Sequence, residues 1–230
     1  MSKPVALILG AGGNIGSALA KKFSSAGYGI ALTARRVTDG KTSEDYLNVK
    51  ADLSDPASVP AIFDKVKKEL GTPSVVVYNA AALTPPPDPE DPFSLAIEDL
   101  ERDLRVATIS AFAAAKEAVS GFDSLPEGTQ RAFIYTGNIL NTMVMPVPMV
   151  VTLGVGKSAA AYWIGTAAAA FAKKGYRFYY ADQRTPEGGP VGTVVDAEAH
   201  ADFYYELASK DPSDVPWHAT FVKGKGYTKF

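Results

Sequence analysis

Residues 7–27 read LILGAGGNIGSALAKKFSSAG: an apolar run, glycines at 10, 13 and 16, then a stretch with helical spacing. An apolar strand that turns through glycine straight into a helix opens an α/β sheet, with the turn at the sheet's carboxyl edge. Backbone amides at that helix N-terminus can meet a pyrophosphate, so Gly10, Gly13, Asn14, Ile15 and Gly16 are expected to hold a dinucleotide. Asn14 suits such a turn because a short amide side chain tolerates a left-handed backbone.

Outward from this unit, short β-rich runs alternate with helical stretches. Strands are expected in PVALILG, GIALTAR, YLNVKAD, SVVVYNA, RAFIYTG and YRFYYAD, and helices over 14–26, 56–70, 94–120 and 153–174. Strands with little polar alternation, separated by helices, imply a doubly wound parallel sheet covered on both faces, three layers in one domain over 1–230. LTPPPDPEDP (83–92) and QRTPEGGPVG (183–192) read as surface loops. His200, Phe203, Tyr204 and Leu207 share one face of a later helix, and WHATFV (217–222) reads as an edge strand.

The chain has 230 residues, 47% hydrophobic and 21% charged, enough for a real core. A net charge of -2 offers no basic field for nucleic acid. With no cysteine and two histidines, thiol chemistry is excluded and a metal site is not expected. The N-terminal apolar run is short for a signal peptide, and the 143–156 stretch, broken by Pro146 and Pro148, is shorter than the ~20 residues of a membrane span. A cytoplasmic protein without membrane contact is the expectation.

The end of the second strand, IALTARR, carries no Asp or Glu to hold ribose hydroxyls, and offers Arg35 and Arg36 instead. Guanidinium groups there suit a 2'-phosphate, which selects NADP(H) over NAD(H). Asp52 and Leu53 after the third strand, and Asn79, Ala80 and Ala81 after the fourth, reach the same carboxyl edge, where ligands of open sheets bind.

With these motifs in order (the glycine turn, LTARR, ADLSD, YNAA and Lys157 on the fifth major helix) nearly the whole chain resembles the short-chain dehydrogenase/reductase family. The resemblance implies a Rossmann-type domain, NADP(H) at the loops named, a small-molecule substrate met by the loop and helix over 183–209, and a homodimer or homotetramer built on the two long helices. It also implies a Tyr-x-x-x-Lys pair in which lysine binds the nicotinamide ribose and lowers the phenol's pKa. Lys157 takes the lysine's place, but Leu153 stands where the tyrosine belongs, Gly137 where a serine would polarise the carbonyl, and Ala107 where an asparagine would hold a relay water. The pattern resembles a divergent subgroup lacking the catalytic tyrosine. The Gly-Lys-Ser of LGVGKS (153–158) is no hydrolase phosphate loop, since position 151 is valine rather than glycine.

Thr136, Asn138, Asn141 and Thr152 remain as hydrogen-bonding candidates near the nicotinamide, with Thr136, Asn138 and Lys157 the expected catalytic set. Tyr162 should face away from the cofactor and pack, Tyr135 should point opposite to Thr136, Tyr204 or Tyr205 can reach in, and His200 reads as structural or pocket-lining. The function implied is NADPH-dependent reduction of a small carbonyl or enone by a non-standard site. The alternative is a catalytically inactive NADP(H)-binding sensor or interaction protein.

Overall fold

The computed structural model describes residues 3–209 and 215–230. Residues 1 and 2, and the 210–214 part of the C-terminal stretch, lie outside them.

One sheet runs through the molecule. Its strands are β1 (Val5–Leu9), β2 (Gly29–Ala34), β3 (Gly40–Lys41), β4 (Leu47–Lys50), β5 (Val75–Tyr78), β6 (Arg131–Thr136), β7 (Tyr176–Arg184), β8 (His218–Val222) and β9 (Gly226–Tyr227). They lie in the order β3-β4-β2-β1-β5-β6-β7-β8-β9. The seven central strands are parallel, and only the two-residue outer strands run antiparallel. From β1 the chain winds outward through β2 and β4, then returns to β5 on the other side. The β1/β5 boundary is therefore the switch point where an open sheet leaves a crevice at its carboxyl edge.

Alternation along each strand feeds two cores. Leu7, Leu9, Val76, Phe133, Tyr135 and Tyr180 face a layer made by α2 (Val59–Glu69), α4 (Ser110–Phe122) and α5 (Val151–Phe171). Ala6, Ile8, Val77, Ile134 and Ala181 face α1 (Ile15–Ser25) and α6 (Ala197–Ser209). Fully burying each such Leu, Ile or Phe contributes about 1.5–3 kcal/mol, so the strands' apolar character on both faces is what drives the doubly wound form.

Several sequence expectations need correction. The run 217–222 is not an edge strand: β8 pairs with β7 on one side and β9 covers the other. Gln183 and Arg184 are not loop residues but the buried end of β7, since β8 extends the ladder that far and satisfies their backbone. The 94–120 helix divides into α3 (Ile97–Leu104), a π turn over Arg105–Ile109, and α4. Ahead of it, Asp91 caps a short 3-10 turn at 92–94. Tyr162 does face away from Lys157, but it is exposed rather than packed. Asn14 has φ −96°, so a left-handed backbone is not its role; it precedes α1 without a side-chain cap. No helix among the described residues is long and apolar enough to cross a membrane.

Candidate active site

The glycine turn is built by close approach. Gly10 has φ +88°, and a Cβ there would lie 2.6 Å from Ala80 Cα. Gly16 meets Ala11 in the same way, at 2.6 Å from its Cα, which lets α1 start directly behind the turn. At Gly12 and Gly13 a Cβ would meet nothing within 4 Å, so the mouth of the turn is open. Beyond it lies a crevice of about 730 Å³, lined by Gly10, Gly12, Arg35, Asp52, Leu53 and Asn79 to Ala81, and running on to Thr84, Arg102 and Asp103. Gly13, Asn14, Ile15 and Gly16 flank this crevice, and Arg36 is exposed outside it. Gly12, Arg102 and Asp103 are lining residues that the glycine spacing and loop positions had not singled out.

The crevice has polar walls of both charges. The Thr33 hydroxyl on its wall is buried without a hydrogen-bond partner. Asp52 is held below its ordinary pKa first by the Ser54 amide and, with Arg35 contributing, stays ionised. The turn opens between a strand and an 11-residue helix, and Arg35 also lines the crevice.

Asn79 ties the turn to the neighbouring strands. Its Nδ2 donates to Gly10 O at 2.9 Å, and its Oδ1 accepts from Thr136 Oγ1 at 2.9 Å. Tyr204 of α6, fully buried, donates to the same Thr136 oxygen at 3.0 Å. Thr136 therefore turns its hydroxyl toward the α1/α6 layer, and Tyr135 points the other way, as strand alternation requires. Lys157 comes from α5 to donate from Nζ to Thr136 O at 2.6 Å, with its charge 4.5 Å above the Tyr135 ring. It is 4% exposed, and burial lowers its pKa to about 7 against the opposing pull of Asp182. Asn138 spends its side chain capping the short turn at 139–141 through Leu140 N, 3.1 Å away. Thr152 is buried beside Thr84, at 3.4 Å. His200 is also buried, with Nδ1 2.7 Å from Asp196 O, and desolvation lowers its pKa.

An aromatic ladder forms the floor on the α4/α5 side. Tyr78, Tyr135, Tyr180 and His218 stand in register on β5, β6, β7 and β8, with successive ring centroids 5.8, 5.6 and 5.6 Å apart. Each phenol donates to a backbone carbonyl: Tyr78 to Val106 at 2.6 Å, Tyr135 to Ala107 at 2.8 Å and Tyr180 to Asn138 at 2.8 Å. The first two acceptors belong to the π turn, whose wider winding presents carbonyls sideways to the sheet. Position 137 has no room for a side chain, because a Cβ on Gly137 would stand 2.5 Å from Tyr180 Cδ1. Leu153 sits half-buried one turn before Lys157.

A parallel sheet with a glycine turn at its switch point and a lysine-bearing helix beside it defines a Rossmann-type α/β protein. A family model described as enoyl-(acyl carrier protein) reductase matches residues 10–183. The short-chain dehydrogenase/reductase dmxR12 of Cryptosporiopsis sp. (strain 8999) is 47% identical over 241 aligned positions, covering 100% of this chain and 96% of the relative. Among solved structures, the NADPH-dependent 3-quinuclidinone reductase of Rhodotorula rubra superposes with a TM-score of 0.79 at 21% identity, covering 99% of this chain and 92% of that one. A Burkholderia cenocepacia short-chain dehydrogenase in complex with NADP gives 0.76 at 17% identity, with 98% of both chains covered. The chain belongs to the short-chain dehydrogenase/reductase family of oxidoreductases.

Proposed function

We propose that the protein binds NADP(H) in the 730 Å³ crevice and reduces a small carbonyl or enone through a site that departs from the usual family set. The observation that carries this reading is the crevice itself: an open glycine turn at one wall, and Arg35 rather than a carboxylate at the end of β2. When bound, the cofactor supplies a hydride. Gly10, Gly13, Asn14, Ile15 and Gly16 would face its diphosphate, Arg35, with Arg36 nearby, its 2'-phosphate, and Asp52, Leu53, Asn79, Ala80 and Ala81 its adenosine half. Lys157 would meet the nicotinamide ribose. Thr136 positions Lys157 through its carbonyl and Asn79 through its hydroxyl, and Asn138 shapes the substrate side of the loop. Leu153 has no proton to give, and Tyr180 keeps any serine out of position 137. The Burkholderia complex with NADP and the NADPH-dependent Rhodotorula reductase support the cofactor assignment.

Purified protein should oxidise NADPH in the presence of at least one member of a panel of aldehydes, ketones, quinones and enones. Tight NADPH binding with no turnover across the panel would favour the catalytically inactive binding protein, a reading that the absent phenol and the filled position 137 also support. Arg35→Ala should weaken NADPH roughly 10- to 100-fold while leaving NADH nearly unchanged, because a charge-assisted phosphate contact contributes about 1.5–3 kcal/mol. Equal loss for the two cofactors, measured by fluorescence titration, would refute the 2'-phosphate assignment.

A further inference from the structure

One polar group on the crevice wall belongs neither to the glycine turn nor to the arginine at the end of β2. On α3, Asp103 is buried, 1% exposed, while Glu101 and Arg102 just before it are exposed. The inward face of an amphipathic helix ordinarily takes an apolar side chain, and Asp is among the residues least often fully buried. The carboxylate is held through one oxygen. Thr84 Oγ1 donates to Oδ1 at 3.1 Å, and Arg102 Nη2, which also donates to Thr84 Oγ1 at 2.7 Å, lies 3.5 Å from the same Oδ1. Thr84, Arg102 and Asp103 line the crevice together.

The second oxygen, Oδ2, is buried with no hydrogen-bond partner. Among the described residues, Thr33 Oγ1 and Asp103 Oδ2 are the buried, unpartnered side-chain atoms that belong to residues lining the crevice. A buried carboxylate with lone pairs unmet carries a desolvation cost, and packing does not repay it. A ligand that enters the crevice with an N–H or O–H supplies the missing donor. Position narrows the choice of donor. Ser54 and Arg102 line both the crevice and a smaller cavity of about 280 Å³, which Glu98, Glu101 and Arg105 complete. Ser110 Oγ donates to Leu53 O at 2.6 Å, so α3 and α4 both stand against the loop over 52–54, at the end of the crevice assigned above to adenosine.

We propose that Asp103 is a recognition residue for the adenosine half of the cofactor, its Oδ2 accepting a hydrogen bond from the ligand while Thr84 and Arg102 fix the carboxylate; this rests on the NADP(H) reading of the crevice. With the 2'-position phosphorylated, that half carries two neutral donors, the 6-amino group of adenine and the 3'-hydroxyl of its ribose. Both present the same chemistry to an acceptor-only carboxylate. The contact involves no bond making or breaking, so Asp103 acts on cofactor affinity and leaves the hydride step alone.

Fluorescence titration of the full chain with NADPH, with its 6-oxopurine analogue and with its 3'-deoxyadenosine analogue tests this. Wild type should bind one of the two analogues about 10- to 100-fold more weakly than NADPH, the usual effect of a hydrogen bond to a charged group, and that analogue names the donor. Asp103→Leu removes the acceptor. It should lose NADPH by the same factor and no longer distinguish NADPH from that analogue, because the contact is then absent from both complexes. Asp103→Asn is the second variant: it keeps an oxygen for Thr84 and sets an amide donor where Oδ2 stood, so with the 6-amino group as donor it should prefer the 6-oxopurine analogue to NADPH. A merely structural carboxylate predicts neither the lost distinction nor the reversal. NADPH affinity within about twofold of wild type in either variant that folds, a distinction that survives in Asp103→Leu, or a wild type indifferent to both analogues overturns the assignment while leaving the cofactor reading intact. Failure of the wild type to bind NADPH overturns the cofactor reading and the recognition residue with it.

Discussion

Lys157 shows what burying an ammonium costs a fold. Its ammonium is buried among the Tyr135 ring, the Thr136 carbonyl and α5, and burial lowers its pKa to about 7 from the lysine value of 10.5. In the unfolded chain the amine is protonated up to its ordinary pKa, whereas in the folded protein it loses the proton above about 7. Between these values the unfolded state binds more protons, so the lysine's penalty is complete below the folded pKa and is relieved as pH rises toward the unfolded one. Lys157→Met should therefore raise stability at pH 7 by a few kcal/mol, judged at about 1.4 kcal/mol per pKa unit, and weaken NADPH binding. Denaturant unfolding at several pH values checks the account. The advantage of the variant should shrink by about 1 kcal/mol per pH unit on going alkaline, and a gap that ignores pH would refute a neutral buried amine.

At the scale of elements, the π turn and the tyrosine ladder stabilise each other. The Val106 and Ala107 carbonyls of the turn accept from the Tyr78 and Tyr135 phenols. Both phenols are held above their ordinary pKa by burial, Tyr135 to a value beyond the range where it could serve as an acid at neutral pH. Tyr135→Phe keeps the ring stack but removes the phenol's hydrogen bond to the Ala107 carbonyl, which should cost about 0.5–1.5 kcal/mol. Calorimetry should record a lower Tm with little change in the NADPH dissociation constant; an unchanged Tm would show that the turn stands without the ladder. The helix over 94–120 was legible from its apolar spacing, but the π turn was not, because tertiary hydrogen bonds from strands before and after it decide the winding. The strands themselves were plain in the sequence, since runs such as LILG and VVVY have no polar face to misplace. The end of β7 was missed for the opposite reason: Gln183 and Arg184 read as solvated until β8 and Asp182 receive them.

For the whole molecule, the crevice was visible because its residues are read one loop at a time, and each loop follows a strand. The cluster of Asp182 and Arg184 on β7, His218 on β8 and Asn141 in the turn after Gly137 was invisible because it joins three segments far apart in the chain. Outer surfaces are governed by the same logic of faces. Ile109 and Phe112 on one long helix, and Val155 and Tyr162 on the other, are apolar or aromatic yet 47–82% exposed. The two helices are neighbours, as the edge-on contact of Phe112 with Trp163 at 5.6 Å shows. Contiguous exposed apolar residues of this kind mark association surfaces, and a symmetric pair would bury the same patch twice. We expect a homodimer, or a tetramer containing that dimer, joined across α4 and α5. A stable interface needs roughly 1,000 Å² or more, so one central charge should undo it. Sedimentation equilibrium should find wild type as a multiple of the 24.3 kDa chain and Phe112→Asp as the monomer, still binding NADPH. A monomeric wild type at every concentration tested would mean that this face is free in solution, and an oligomer indifferent to Phe112→Asp would place the contact elsewhere on the molecule.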